Sequence, residues 1–354
     1  MAKRRLSHQQ RRRIAAMQQE RRQNAAMQAR QQDAEGTAGD LDEPGLVVAH
    51  YGQQLAVQPL NGNGDGEEGE IRCHARANID ALVTGDRVLW RRADNNTGVV
   101  VALEPRHSVL KRPDNFGNLK PVAANIDCII IVIAPVPEPH DNLIDRYLAA
   151  AEISEIAPFL VLNKKDLLTP DTRKQLEPML ERYRSLGYPV MAVSAEPGED
   201  KDTGMDELRA ALVDRTSVFA GQSGVGKSSL IQQLLPEQSL RIGGLSDAGK
   251  GTHTTTTARL YMLPDGGTII DSPGIREFGL WHITPDELAW GFIDIRPLMG
   301  RCRFRNCTHL NEPGCALDAA LKAGDLSATR LYSFRRILSD MAAQQARGLK
   351  PPTS

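Results

Sequence analysis

Cysteine is scarce in this chain: Cys73, Cys128, Cys302, Cys307 and Cys315 are the only five among 354 residues. That scarcity excludes the disulfide framework of a small secreted domain. Long apolar runs are also absent, so no segment is predicted to cross a bilayer. The N-terminus lacks the apolar core of a secretory signal. Met1–Arg30 holds a single hydroxyl residue, Ser7, which argues against an organelle transit peptide. Net charge is nearly absent at −1, while 41% of residues are hydrophobic and 25% charged. Such a composition belongs to a soluble globular protein with room for two or three domains.

The small net charge conceals an asymmetry. Lys3, Arg4, Arg5, Arg11, Arg12, Arg13, Arg21, Arg22 and Arg30 stand against Glu20 alone, which makes this arm +8 and leaves −9 for the rest. Two readings of the arm stand side by side: a solvated disordered tail, or a contact for a polyanionic partner.

Composition divides the chain into four regions. Residues 1–43 are a low-complexity basic arm. Residues 44–112 carry short β-like runs at Gly45–Leu60, Glu70–Ile79, Asp86–Arg92 and Thr97–Leu103, with Ser108–Lys111 as a shorter candidate. Turn residues such as Asn61-Gly62 and Thr84-Gly85-Asp86 separate them. A small closed barrel, an OB-fold by preference, accounts for that pattern, and other small barrels share it. Arg72, Arg76, Arg91 and Arg92 on these strands either meet phosphates or face water. Residues 113–280 alternate apolar strands with helical segments, the mark of a parallel α/β sheet. Cys128–Ala134 and Phe159–Leu162 read as strands buried on both faces, joined by a helix over Leu143–Ile153. Residues 281–354 hold a cysteine cluster and then helical sequence over Ala316–Ala343.

The chemistry concentrates at strand ends. Gly221-Gln222-Ser223-Gly224-Val225-Gly226-Lys227-Ser228, followed by Ser229, matches a phosphate-binding loop. Its glycines let successive N–H groups turn toward phosphate oxygens, its lysine adds a fixed charge, and its serine hydroxyl coordinates Mg²⁺. The β-like Ser217–Ala220 before it and the helical Ser229–Leu235 after it supply the context the motif needs. Asp271-Ser272-Pro273-Gly274 closes a later strand; Asp271 suits Mg²⁺, and the Gly274 N–H suits a γ-phosphate. Asn163-Lys164-Lys165-Asp166 follows Phe159–Leu162. A carboxylate at Asp166 accepts from guanine N1–H and N2, donors that adenine does not offer. Lys164 can lie along the base, Asn163 can brace the neighbouring loop, and Ser194-Ala195 can close over the base with backbone N–H groups.

The run Gly251-Thr252-His253-Thr254-Thr255-Thr256-Thr257 lies between the phosphate loop and Asp271, where a segment that orders around γ-phosphate and Mg²⁺ belongs. Thr254, Thr255 and Thr256 are all candidate Mg²⁺ ligands, with Thr255 the central choice. Ile275 stands where a water-orienting glutamine is common, and an aliphatic side chain cannot polarise water. His253 is therefore the candidate catalytic group; its alternative is a loop histidine that contacts RNA.

Cys302, Cys307, His309 and Cys315 give three thiolates and an imidazole, a closed tetrahedral set for one structural Zn²⁺. Arg301, Arg303, Phe304 and Arg305 interleave with them and suit single-stranded or looped RNA. Cys73 and Cys128 lie in apolar runs and are expected in the core.

Order distinguishes the whole. Asn163 precedes Gly221 by 58 residues, whereas the usual GTPase places its phosphate loop first. Rejoining old termini and opening the chain elsewhere preserves the packed sheet. The set of motifs in this order resembles the circularly permuted GTPases of small-ribosomal-subunit assembly, across nearly the whole chain. The resemblance implies an N-terminal OB-fold that binds RNA, a permuted P-loop α/β GTPase domain and a C-terminal, mostly helical zinc domain. It also implies a GTP-to-GDP hydrolase, with Mg²⁺ as GTP's companion. Its task would be late maturation of the small (30S) subunit: a cytoplasmic monomer contacting 16S rRNA, stimulated by the subunit and bound to no membrane. Two rival classes remain to be tested. An adenine-nucleotide enzyme conflicts with Asp166, and a passive RNA scaffold conflicts with intact Lys227 and Asp271.

Overall fold

The computed structural model describes residues 42–52, 54–60, 69–76, 78–93, 97–113, 119–196, 203–235, 258–271, 283–310 and 312–346. They fall into two compact units, one within Met1–Leu82 and Asp86–His107, the other within Val83–Gly85 and Ser108–Ser354.

The first unit is a five-stranded barrel of β1 (Glu43–Tyr51), β2 (Gln54–Pro59), β3 (Ile71–Ala75), β4 (Arg87–Ala93) and β5 (Thr97–Leu103). The strands run in the order β1-β2-β3-β5-β4, and β4 closes antiparallel onto β1. Only the β3–β5 pair is parallel. This is the arrangement of an OB-fold. Alternate residues point inward, so Val47, Val57, Cys73, Val88, Trp90 and Val100 form the core. Trp90 needs space from both sides: a Cβ on Gly45 would sit 2.7 Å from its Cδ1, and one on Gly98 would sit 2.7 Å from its Cε3.

Two sequence expectations change here. Gly45–Leu60 is not one run but two antiparallel strands that reverse at Gly52, whose φ of 64° suits glycine. Ser108–Lys111 is not a barrel strand; Val109–Pro113 (β6) instead pairs with Leu119–Ala124 (β7) as a hairpin in the second unit.

The second unit is built on a sheet ordered β10-β9-β8-β11-β13-β12. Its strands are β8 (Cys128–Ile133), β9 (Ala157–Leu162), β10 (Val190–Ala192), β11 (Thr216–Ala220), β12 (Arg259–Met262) and β13 (Thr268–Asp271). All pairings are parallel except β12 with β13. Every residue of β8 is buried, because helices cover both of its faces. On one face Ile130, Val132 and Val161 join Leu208 and Leu212 of α3 (Met205–Leu212) and Leu230 and Ile231 of α4 (Lys227–Leu234). On the other, Ile131 and Ile133 meet Ile144 and Tyr147 of α1 (Asp141–Ile153) around a small apolar cavity. The helix α2 (Pro170–Ser185) begins with Pro170 in its first turn and a reciprocal cap between Thr169 and Thr172.

From β8 the chain steps outward to β9 and β10, then crosses back to β11 on the other side of β8. Such a reversal opens a crevice beyond the carboxyl ends of β8 and β11. The C-terminal helices α5 (Pro285–Gly291) and α7 (Ala328–Ala346) pack on α1, and α6 (Ala316–Ala323) packs on α7, to form a second core. Phe292 and Phe334 meet edge to face within it, with ring centroids 5.3 Å apart.

Candidate functional site

The glycine-rich loop occupies that crevice. Gly221 leaves β11 at φ 139°, and a Cβ there would stand 2.3 Å from the Val132 carbonyl oxygen, so the loop hugs β8 only with glycine at this position. Gly224 and Gly226 take φ of 83° and 91°, which turn the intervening N–H groups to one side before α4 begins. The Lys227 Nζ donates to the Gly221 and Gln222 carbonyls at 2.7 Å each, so its ammonium lies within the curve of the loop. Ser228 and Ser229, both half-buried, follow in the first turn of α4. An anion above them would meet the positive end of the helix dipole.

Asn163 ties three loops together. It is 1% exposed. Its Nδ2 donates to the Val225 carbonyl at 2.9 Å, and its Oδ1 accepts from the Ala195 N–H at 3.3 Å. Its own N–H pairs with the Ile133 carbonyl at 2.8 Å, extending the β8–β9 ladder. Lys164 adopts φ 60° and ψ 42°, and its Nζ donates to the Gly224 carbonyl at 2.7 Å and the Val136 carbonyl at 3.0 Å. The Lys165 N–H donates to the Val193 carbonyl at 3.0 Å. Asp166 is exposed and accepts from the hydroxyl of buried Ser194. A carboxylate with one oxygen so held keeps lone pairs free for a further partner. Asp271, half-buried, ends β13 on the strand beside β11.

The structure therefore brings together residues 163–166, 194–195 and 221–229, with Asp271 at the same ends of the parallel strands. His253, Thr255 and Gly274, like the rest of the threonine run and Ile275, lie outside the described residues. Sequence reasoning did not foresee the part of residues 136–137. The Val136 carbonyl receives Lys164, and Pro137 lies 3.7 Å from where a Gly224 side chain would begin. A backbone acceptor leaves no mark in sequence.

A second cluster forms elsewhere in the same unit. The ligand atoms of Cys302, Cys307, His309 and Cys315 all lie within 4.8 Å of one another. His309 Nδ1 stands 3.5 Å from the Cys302 sulfur and 3.7 Å from the Cys315 sulfur. Three sulfurs and one ring nitrogen at this separation fit a single tetrahedral ion. Burial lowers the His309 pKa, which favours the neutral, coordinating imidazole. Glu312, unforeseen from sequence, accepts from the Thr308 N–H at 2.9 Å and the Leu310 N–H at 3.1 Å, and so shapes the loop around His309. The signal for it was an acid inside the ligand run. Cys73 and Cys128 are fully buried core residues, and burial pushes their thiols up to about 11 and about 12. Of the barrel arginines, Arg91 pairs with Asp42 at 2.8 Å, and Arg92 stacks over Trp90 at 5.5 Å from the ring centroid.

Among the described residues, no helix is long and apolar enough to cross a membrane. A sequence model of the family described as RsgA GTPase matches residues 103–281. A protein of Marinobacter nauticus named "Small ribosomal subunit biogenesis GTPase RsgA" is 58% identical over 99% of both chains. One of the same name from Hahella chejuensis is 52% identical over 97% of this chain and 98% of its own. Among solved structures, YjeQ from Thermotoga maritima superposes with a TM-score of 0.68 at 29% identity, over 85% of this chain and 99% of its own. YloQ, described as a circularly permuted GTPase, gives 0.67 at 26% identity, over 88% of this chain and 98% of its own.

Proposed function

This chain belongs to the RsgA GTPase family, and from that premise we propose that it hydrolyses GTP as a switch in late maturation of the small ribosomal subunit. The observation that carries the reading is the contact of Asn163 with Val225 and of Lys164 with Gly224, 62 and 60 residues later in the chain. A guanine-reading loop and a phosphate-binding loop that share hydrogen bonds flank a space suited to one nucleotide.

In this proposal Asp166 accepts from the N1–H and N2 of guanine, and Lys164 lies along the base. Lys165, Ser194 and Ala195 complete the wall around it. The N–H groups of residues 221–229 and of Gly274 bind phosphate oxygens, and Lys227 swings from the loop carbonyls to the terminal phosphates. Ser228, Thr255 and Asp271 would hold Mg²⁺, which would supply neutralisation of phosphate charge for the hydrolysis of GTP to GDP and phosphate. His253 orients the attacking water once the subunit orders its loop. Turnover of His253→Ala with and without small subunits tests that role, and unchanged stimulated rates remove it.

The Cys302, Cys307, His309 and Cys315 set holds one structural Zn²⁺, whose part is to fix the loop that carries Arg301, Arg303, Phe304 and Arg305. These four side chains are exposed, and Arg303 lies over the Phe304 ring at 5.5 Å. A rigid basic loop with a stacking ring suits 16S rRNA. The protein acts as a cytoplasmic monomer. The deciding experiment is GTP turnover titrated with purified small subunits, with ATP as competitor. Stimulated turnover that resists ATP is expected; a rate indifferent to subunits would overturn the proposal.

A further inference from the structure

The helix α1 touches both halves of the second unit. Residues 134–140 lead into it, and there the Val136 carbonyl accepts from Lys164 while Pro137 lies against Gly224. Farther along, α1 is the floor on which the cysteine-bearing module rests. Ala149 and Ala150 enter the core of that module with Leu288, Phe292, Phe334 and Ile337. A Cβ on Gly291 would stand 2.8 Å from the Ala149 carbonyl, so α5 approaches α1 as closely as backbones permit.

Polar bonds run along the same seam. The Asn142 Nδ2 donates to the Ser333 carbonyl at 3.2 Å, Arg296 pairs with Glu152 at 2.8 Å, and Arg146 pairs with Asp340. At its centre is Arg330 of α7, 1% exposed. Its Nη2 and Nε grip the two oxygens of Asp294 at 2.7 and 3.0 Å, and its Nη1 donates to Asp145 of α1. Its guanidinium lies over the Phe292 ring, 4.4 Å from the centroid. The Tyr183 hydroxyl of α2 donates to Asp145 at 3.0 Å. One buried cation thus gathers α1, α2, α7 and the segment after α5.

Stability is a weak reason for such a cluster, because apolar residues of similar volume usually do as well in a core. Direction is a better one. Apolar faces slide past one another at small cost, whereas a guanidinium fork on fixed carboxylates admits a single register. We propose that Arg330 is a positioning residue that locks the metal-bearing module to α1, so that nucleotide-dependent movement of residues 221–228 and 136–140 reaches the cysteine cluster through α1. This rests on the reading of residues 221–228 as a nucleotide site.

The test is amide hydrogen exchange on the full, metal-loaded chain, with and without Mg²⁺ and a non-hydrolysable GTP analogue. In the natural chain, the analogue should change protection across residues 298–340. The neutral triple variant Asp145→Asn, Arg330→Met, Asp294→Asn removes the fork and leaves no lone charge behind. It should bind the analogue within about threefold of the natural chain, since its changes lie away from the loops, and lose the distant response. Arg330→Lys keeps the charge without the fork; it should at least halve the response, and it carries the test if the triple variant does not fold. A full response in either folded variant overturns the proposal, as does a natural chain that binds the analogue without any change in 298–340. A natural chain that fails to bind the analogue overturns the nucleotide reading instead, so the two failures are told apart.

Discussion

The loops around Gly221 and the loop around His309 reach order by opposite means. The first works with main-chain atoms: Gly221, Gly224 and Gly226 adopt positive φ so that N–H groups converge, and the side chains of Asn163 and Lys164 bind carbonyls to hold that backbone in place. The second works with side-chain atoms, three sulfurs and a ring nitrogen drawn to one point, while Glu312 and the backbone hold the loop. Positions that contribute only main-chain groups should tolerate side-chain truncation but not an added Cβ, and positions that contribute a ligand side chain should do the reverse.

Removing the proposed ion should have the largest effect, because ion binding and local folding are one equilibrium in such sites, worth about 10–16 kcal/mol in small zinc domains. Chelation, or Cys315→Ser, should abolish stoichiometric zinc and expose amides of α6, which begins directly after Cys315. Thiol titration at neutral pH then sharpens the contrast between cysteines. The cluster thiols of the chelated chain should react, while Cys73 and Cys128, fully buried in their cores, stay silent. A chelated chain with unchanged protection in α6 would show that the cluster does not hold the module together.

Gly226→Ala comes next. At φ 91° the new Cβ would stand 2.3 Å from Asn163 Nδ2. Left-handed strain of about 1–2 kcal/mol and an orphaned buried amide of about 1–3 kcal/mol add to roughly 4 kcal/mol. Nucleotide affinity should fall on the order of a thousandfold, for GTP and GDP alike, with zinc content unchanged. Calorimetry checks the first and metal analysis the second.

Asp166→Asn should be smaller and selective. In the proposed complex the amide loses an acceptor facing guanine and gains a donor, and a mismatched polar group of this kind costs at least about a hundredfold. Xanthosine nucleotides, whose 2-carbonyl accepts from that donor, should recover much of the loss. Equal weakening of guanosine and xanthosine nucleotides would mean that Asp166 does not face the base.

Legibility in the sequence follows the same division. Each motif is a contiguous run whose residue types state its chemistry, so residues 163–166, 221–228 and 302–315 could be read before any fold was known, and the barrel followed from counting short strands. Contacts between distant residues could not be read: Asn163 meets Val225, and Arg330 meets Asp145, 185 positions apart. Arg330 did leave a trace, since it shares a helical face with Phe334, Ile337 and Met341, where a charge needs a buried partner. The reversal at Gly52 was hidden for another reason. β1 and β2 are both rich in apolar residues, and a single glycine between them is a weaker turn signal than Asn61-Gly62.

The smallest effect expected is also the sharpest check on the comparison. Gln222 sits mid-loop, half-buried, and lines the apolar cavity beside Ile144 and Tyr147. Its carbonyl already receives Lys227, and in the proposed complex its N–H is what faces phosphate. Gln222→Ala keeps both main-chain groups and removes only the side chain beyond Cβ. Nucleotide affinity should therefore change by less than about threefold, within the ±0.5 kcal/mol typical of substitutions that break no buried network. A loss near that of Gly226→Ala would mean that this loop, like the metal loop, relies on side-chain atoms, and the contrast between the two sites would fail at its best-defined point.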